Sequence, residues 1–395
     1  MKILFLDQSG KLGGAELCLA DIAEPFQTTS LVAVFTEGSF PAYLRKRHIQ
    51  VKILADQSLQ VQKASGLLAG VKSINRLVPL ITKVAQLSKQ YDLLYANTQK
   101  ALVVGALASF LSRRPLVYHL HDIVSPDHFS TTNRRIITML ANRAALVIAN
   151  SQASCEAFIQ AGGRADRVHV VYNGFCPETY SVYANKREYL RNELLSTELV
   201  SESPQKADNK HPYFVGHFSL LSHWMGQHVL LAALQYCPDN VTALLVGDAL
   251  FGEQDYVQQL HQQIKILKLE HRVQFLGFRS DIPQLMTACD LVAHTSIAPE
   301  PFGRVIVEAM LCGTPVVAAA AGGATELIDH GETGWLTSPG DAQRLADIVN
   351  TCHSQPSQAK SCAQRAQMLV KQRFNLDGTN LKIKSLLSEV VKTRR

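Results

Sequence analysis

Short runs of Val, Leu, Ile and aromatic residues recur along the first half of the chain, at 2–7, 31–37, 51–56, 92–98, 115–121, 146–151 and 168–174. Each has the length of a strand, and the stretches between them are long enough for helices. This alternation predicts βαβ units around a parallel sheet. A polar segment follows near 185–210, and the pattern then begins again at 213–219, 241–248, 272–278, 289–296, 315–320 and 334–337. Helical periodicity is clear at Gln227 to Gln235, Glu253 to Leu267 and Asp341 to His353. The repetition predicts an α/β chain of two Rossmann-like parallel-sheet domains. The length of 395 residues agrees, because a single core stops growing at about 250 to 300 residues. Ligands of such sheets bind beyond the carboxyl ends of the strands, so function is expected in the strand-to-helix loops, facing a cleft between the two domains.

Three of these loops carry candidate chemistry. The first is Gln8 to Glu16, where Gly13 and Gly14 let backbone amides approach a ligand at a helix start, or else form a simple tight turn. No G-x-G-x-x-G fingerprint is present. The second is Tyr118 to Asp122, in which His119, His121 and Asp122 could bind a metal, orient a sugar hydroxyl or satisfy backbone partners. Strand alternation puts His119 and His121 on one face, and His121 lies nearer the strand end. The third is Ser296 to Glu308, following the strand that ends at Thr295. Pro301 and Gly303 mark a turn into a helix running to about Leu311. Glu300 and Glu308 are separated by about 12 Å if helical, beyond the roughly 5 to 9.5 Å of a glycosidase acid/base pair. That spacing favours two carboxylates gripping different parts of one elongated ligand, although Glu300 could also cap the helix. Gly322 to Glu326 adds a glycine-rich strand-to-helix turn in which Thr325 and Glu326 could bond phosphate or ribose, or Glu326 could simply start a helix.

Composition narrows the class. Hydrophobic residues make up 47% and charged residues 18%, which fits a well-packed soluble protein. The eight cysteines form no C-x-x-C pair and no zinc-finger spacing, so they are expected to be free buried thiols of a reducing compartment. The first residues enter the Lys2–Asp7 strand without a signal-peptide pattern, and no apolar run approaches the roughly 20 residues of a membrane span. A cytoplasmic location is expected, with any membrane contact peripheral. The net charge of +6 is concentrated in residues 1–200, which hold 22 Lys/Arg against 15 Asp/Glu, whereas 201–395 hold 17 against 18. Such an excess reads either as a generally basic solvated surface or as a face that attracts anionic lipid, an acidic acceptor or nucleic acid, and no nucleic-acid signature accompanies it.

Taken together, GGAE at 13–16, HLHD at 119–122, ANS at 149–151, VYNGF at 171–175, WMGQHVLLAAL at 224–234, VGD at 246–248, FLGFRSDI at 275–282, and EPFGRVIVEAM with GGATELI at 300–310 and 322–328 resemble glycosyltransferase family 4. The resemblance implies a GT-B fold and transfer of a hexose from a nucleotide-diphosphate sugar to a hydroxyl acceptor with retention, without a cofactor or catalytic metal. The acceptor would be a glycan or a lipid-linked molecule, chosen by loops near 38–48, 58–72 and 123–133. Carried over by position, His121 and Glu300 are the catalytic candidates. Gly14, Phe302, Gly303, Arg304, Glu308, Gly277, Phe278, Arg279 and Thr325 are the donor-binding candidates. The resemblance also implies domains at 1–178 and 179–373, with 374–395 returning to the first.

One stretch departs from the family pattern. Where relatives carry an Arg and a Lys that clamp the donor diphosphate, this chain has Leu220 and Met225. Losing two charge-assisted bonds of about 1.5 to 3 kcal/mol each costs about 10²- to 10⁴-fold in rate or binding. His217, His223, Arg304 or the helix start at Gly303 could compensate. The alternative function implied is a catalytically impaired member that binds nucleotide sugar or glycan as a sensor or scaffold.

Overall fold

The computed structural model describes residues 1–54, 67–183, 186–196, 212–249 and 253–393. The chain divides into two compact units, Met1–Gly174 with Leu376–Arg395, and Phe175–Asn375.

The first unit holds a seven-stranded sheet of β1 (Ile3–Asp7), β2 (Leu31–Val34), β3 (Val51–Ile53), β4 (Leu93–Ala96), β5 (Leu116–Leu120), β6 (Leu146–Ala149) and β7 (Val168–Val170), in the order β3-β2-β1-β4-β5-β6-β7. All its pairings are parallel. The period-two geometry of a strand explains why Ile3 to Leu6 of β1 are all apolar. Leu4 and Leu6 enter one core cluster with residues of helix Gln99–Ser112, and Ile3 and Phe5 enter another with Cys18, Leu19 and Ile22 of helix Gly14–Ala23. Helices therefore cover both faces, as a parallel sheet requires.

The last helix, Leu376–Lys392, packs on this unit through the fully buried Ile383 and Leu387. Asn380 Nδ2 donates to the Asp21 carbonyl at 3.2 Å and Lys382 Nζ to the Val170 carbonyl at 2.8 Å. The units divide after Gly174 and after Asn375, whereas the sequence reading divides them after 178 and after 373. The reason is a bridge between Phe175 and Asn375, in which the Phe175 amide donates to the Phe374 carbonyl at 2.8 Å.

The second unit holds a six-stranded parallel sheet of β8 (Tyr213–Phe218), β9 (Val241–Val246), β10 (Val273–Gly277), β11 (Leu291–His294), β12 (Val316–Ala319) and β13 (Trp335–Thr337), in the order β10-β9-β8-β11-β12-β13. The polar segment read at 185–210 contains a helix, Arg187–Ser196. Arg187 and Arg191 dock that helix on Asp290 at 2.6 and 2.8 Å. The remainder of the segment at 197–210, and 58–66 of the expected acceptor loop 58–72, lie outside the described residues. Seven cysteines are buried as expected, but Cys176 is exposed, on the approach to helix Pro177–Ser181.

Candidate functional site

Strand order reverses between β8 and β11 in the second unit, and between β1 and β4 in the first. Connections leave such a point in opposite directions and open a crevice at the carboxyl ends of the strands. In the second unit the two loops at that crevice are 219–226 and 295–303, which contain both the altered clamp positions and Glu300.

Neutral hydrogen bonds tie these two loops together. Thr295 Oγ1 donates to the Gly226 carbonyl at 2.7 Å, and the Ile297 amide donates to the Trp224 carbonyl at 2.8 Å. His217, near the end of β8, lies 2.9 Å from Thr295 Oγ1 through Nε2 and 3.2 Å from Ser219 Oγ through Nδ1. Burial, with the neighbouring His294, pushes the His217 pKa down to about 3. Its ring is therefore neutral, and it supplies no cation to a diphosphate. Gly226 is required here: φ is +75°, and a Cβ would lie 1.9 Å from the Thr295 carbonyl oxygen. It begins helix Gln227–Leu234, as Gly303 at φ +90° begins helix Arg304–Leu311. Each switch loop thus delivers a helix start, where backbone amides favour negative charge.

Glu300 is set by the loop after β12. Its carbonyl accepts from the Gly323 amide at 2.6 Å, and it forms a bridge with Gly322, where a Cβ would lie 2.3 Å from the Glu300 carbonyl oxygen. The carboxylate Oε2 is buried with no hydrogen-bond partner among the described residues, 3.6 Å from His294 Nε2. Leaving such an oxygen unsatisfied costs about 1 to 3 kcal/mol, so the arrangement is poised for donors from a ligand. Glu308, one helix further on, accepts from the Tyr180 hydroxyl at 3.4 Å and lies 3.4 Å from Arg304 Nε. The Arg304 guanidinium also sits 4.5 Å over the ring of Phe175, so its charge is already engaged. Phe302 is buried against Phe175 and Phe374.

The remaining candidates divide. Gly277 closes β10 at φ +62°, and Phe278 is 69% exposed beside it, a free ring face suited to stacking on a base. Arg279 is paired with Asp281 at 2.7 Å. The turn at Gly323–Glu326 is a four-residue 3-10 turn rather than a helix start. Thr325 Oγ1 donates to the Gly322 carbonyl at 2.8 Å, so its single proton is committed and a phosphate would have to displace that bond. Leu220 is 38% exposed and contributes its carbonyl to Gln227 Nε2 at 2.7 Å. Met225 contributes its carbonyl to Thr295 Oγ1 and places its sulfur 3.7 Å from Ser296 Oγ. Leu220 and Met225 therefore both hold the loop through their carbonyls.

The corresponding loops of the first unit carry Asp7, Glu16, Asn97 and His121. Asn97 Nδ2 donates to Asp7 Oδ2 at 2.8 Å and to the Ala15 carbonyl at 3.1 Å, which turns its Oδ1 toward His121 Nε2 at 2.9 Å. His119 lies in β5 and His121 just beyond it, their rings 3.9 Å apart. Asp122 is turned to Gln99 Nε2 at 3.0 Å. Gly13 leaves room for the Glu16 carboxyl, whose Oε2 would meet a Cβ there at 2.8 Å. The sequence reading did not single out His294, Thr295, Asp7 or Asn97. Their positions at or just past the ends of central strands are the signal that could have found them.

Burial pushes the Asp7 carboxyl up to about 6, and burial followed by the charge of Asp7 pushes Glu16 up to about 8. Both lie above the values of an unfolded chain. Between about pH 4 and 8 the folded protein therefore holds protons that the unfolded chain has released, and stability falls as pH rises across that window. Glu16→Gln, which keeps a neutral group of the same shape, is expected to flatten this slope and to raise stability most at pH 8. Urea unfolding at pH 5, 6.5 and 8 checks it, and an unchanged slope contradicts it.

Residues 13–179 match the model for Glycosyltransferase Family 4, and residues 201–368 match that for Glycosyl transferases group 1. The crystal structure of HepE from Anabaena in complex with UDP-glucose is 57% identical, covers 98% of this chain and 100% of that one, and superposes with a TM-score of 0.88. The same protein with UDP and glucose gives 0.87, also at 57% identity, over 98% of this chain and 99% of that one. Among curated proteins, N-acetyl-alpha-D-glucosaminyl L-malate synthase of Bacillus anthracis is 36% identical over 131 residues, 33% of each chain. D-inositol 3-phosphate glycosyltransferase of Corynebacterium glutamicum is 28% identical over 66% of this chain and 63% of its own length. The alignments thus span from a third to just under two thirds of these two relatives.

Proposed function

Because the chain belongs to the glycosyltransferases of family 4 and group 1, we propose that it transfers glucose from UDP-glucose to a hydroxyl acceptor with retention at the anomeric carbon. The observation that carries this reading is the buried, unpartnered carboxylate oxygen of Glu300 at the β8/β11 crevice, together with the UDP-glucose bound by the 57% identical relative.

In this reading Glu300 accepts from hydroxyls of the sugar and Glu308 from the ribose. The backbone of Phe302 and Gly303 meets the sugar, and Gly277, Phe278 and Arg279 lie beside the base. Gly14 lines the diphosphate and acceptor side, and His121 touches the sugar near the reacting carbon. The bond from C1 to the diphosphate oxygen breaks, and its electron pair leaves with UDP. The acceptor oxygen bonds to C1 on the same face, and its proton passes to the departing diphosphate. Helix starts at Gly226 and Gly303 stabilise the charge that develops there.

The surface of the first unit favours a lipid-linked acceptor. Helix Gln99–Ser112 exposes Leu107, Phe110 and Leu111, with Phe110 84% exposed. The adjacent helix Thr131–Ala141 exposes Ile136 and Met139. Arg113, Arg135 and Arg143 are exposed on or next to the same two helices. Apolar side chains with arginines close by suit an anionic bilayer surface, and among the described residues no helix is long and apolar enough to cross a membrane. The test is UDP release from UDP-glucose in the presence of a lipid extract or of aqueous glycans, with sedimentation on phosphatidylglycerol vesicles in parallel. Expected are lipid-dependent UDP release, and vesicle binding that Phe110→Ser with Leu111→Ser abolishes. Release with aqueous glycans alone, or binding that survives the double substitution, contradicts the lipid assignment.

A further inference from the structure

Three side chains from distant parts of the first unit converge beneath its switch point. Cys18 on helix Gly14–Ala23, His119 in β5 and His121 just beyond it bring one sulfur and two ring nitrogens within 4.8 Å of one another. Cys18 and His119 are buried and His121 is half-buried. The sequence pattern His119-Leu120-His121-Asp122 pointed to a carboxylate as the third group; the fold supplies a thiol instead, 101 positions earlier in the chain.

The surroundings of the two rings are those of ligating histidines. A metal-bound imidazole is held by a hydrogen bond to its other nitrogen, which fixes its orientation. Tyr95 Oη lies 2.7 Å from His119 Nδ1. Asn97, whose amide is fixed by Asp7 and Ala15, presents Oδ1 to His121 Nε2 at 2.9 Å. A neutral His121 donating from Nε2 carries its lone pair on Nδ1. The remaining nitrogen of His119, Nε2, is buried with no hydrogen-bond partner, an arrangement that buried polar atoms rarely tolerate without a ligand.

We propose that Cys18 Sγ, His119 Nε2 and His121 Nδ1 form a binding site for a single borderline transition-metal ion of the zinc class, with a fourth position left to solvent. One thiolate and two imidazoles select such ions over magnesium, calcium or manganese, which prefer oxygen. Tetrahedral bonds of about 2.0 to 2.3 Å place ligand atoms about 3.3 to 3.7 Å apart. Closing the present spacing of at most 4.8 Å therefore asks for a shift of about 1 Å. The Cys18 thiol now donates to Asn173 Oδ1 at 3.3 Å, and that proton is released when the thiolate binds the ion. Occupation takes up His121, so the ion inhibits transfer; this consequence alone rests on the role proposed for His121 above.

Cobalt(II) tests the site directly in the full chain after chelator treatment, with no nucleotide present. The expected result is a sulfur-to-cobalt charge-transfer band in the near ultraviolet, with tetrahedral d–d bands, saturating at one equivalent. Cys18→Ala removes the band, whereas Cys176→Ser, at the exposed cysteine, leaves it. Tyr95→Phe, which deletes only the hydroxyl beside His119, weakens cobalt binding by about 10- to 100-fold. Thermal melts followed by circular dichroism establish that each variant is folded. Absence of the band at one equivalent in the wild-type chain, or its survival in Cys18→Ala, overturns the proposal. Because the readout is spectroscopic, its failure leaves the transferase reading untouched, and a failed transfer assay leaves the metal site untouched.

Discussion

Glu300→Gln is expected to lower kcat/KM for UDP-glucose by about 10²- to 10⁴-fold, as follows from two hydrogen bonds to a charged carboxylate at about 1.5 to 3 kcal/mol each. The affinity for UDP itself is expected to change little. Among the described residues Glu300 Oε2 has no hydrogen-bond donor, and it sits in a buried position beside His294, so the proposed partners are the hydroxyls of a bound sugar. An amide replaces half of that acceptor with a donor and removes the charge. The backbone of Glu300, which holds Gly323, is untouched by the substitution. Titrations with UDP and with UDP-glucose separate the two effects. Equal weakening of both ligands would assign Glu300 to the shape of the loop rather than to the sugar.

The double substitution Leu220→Arg with Met225→Lys is expected to act in the opposite direction. Each restored cation adds a charge-assisted bond to the leaving diphosphate, about 10- to 100-fold in rate per cation. The loop can accept both. Leu220 already points in part to solvent, and the hydrogen bonds of residues 220 and 225 to Gln227 and Thr295 run through their carbonyls. Two of the neighbouring candidates for compensation are otherwise occupied. His217 is held neutral by burial, and Arg304 is engaged by Glu308 and Phe175. Single-turnover rates with UDP-glucose measure the gain. An unchanged rate would mean that the two glycine-capped helix starts already meet the charge.

The strand pattern was fully legible, since all thirteen apolar runs are strands, and the errors lie at their ends for physical reasons. The run at 168–174 ends as a strand at Val170, and the Val171 amide closes the ladder on the Ala149 carbonyl at 2.9 Å while its side chain is buried in the cluster that also holds Ile383 and Leu387 of the last helix. An apolar residue reports burial and not the partner that buries it. The run at 289–296 enters the strand at Leu291: the Asp290 amide already donates to the Phe214 carbonyl at 2.9 Å, while its carboxylate holds Arg187, Arg191 and the Phe214 amide.

Of the candidate site, Glu300, Gly303 and Glu308 stand out in the sequence because they lie within nine residues of one another in a recognisable turn. The link from His217 through Thr295 to Gly226 joins positions 69 and 78 apart, and the approach of Cys18 to His119 exists only once β1 and β5 share a sheet. No local pattern encodes either. Thr325 shows the converse limit, because a hydroxyl placed in the right loop can be spent on its own backbone.

The central claim is retaining transfer of glucose from UDP-glucose, and the stereochemistry of the product tests it most directly. Proton NMR can follow the anomeric signal while UDP-glucose, whose glucosyl bond is α, is consumed with the lipid extract as acceptor. An α-linked glucoside is expected to appear in step with UDP. A β-linked glucoside, or consumption of acceptor without UDP, would contradict it.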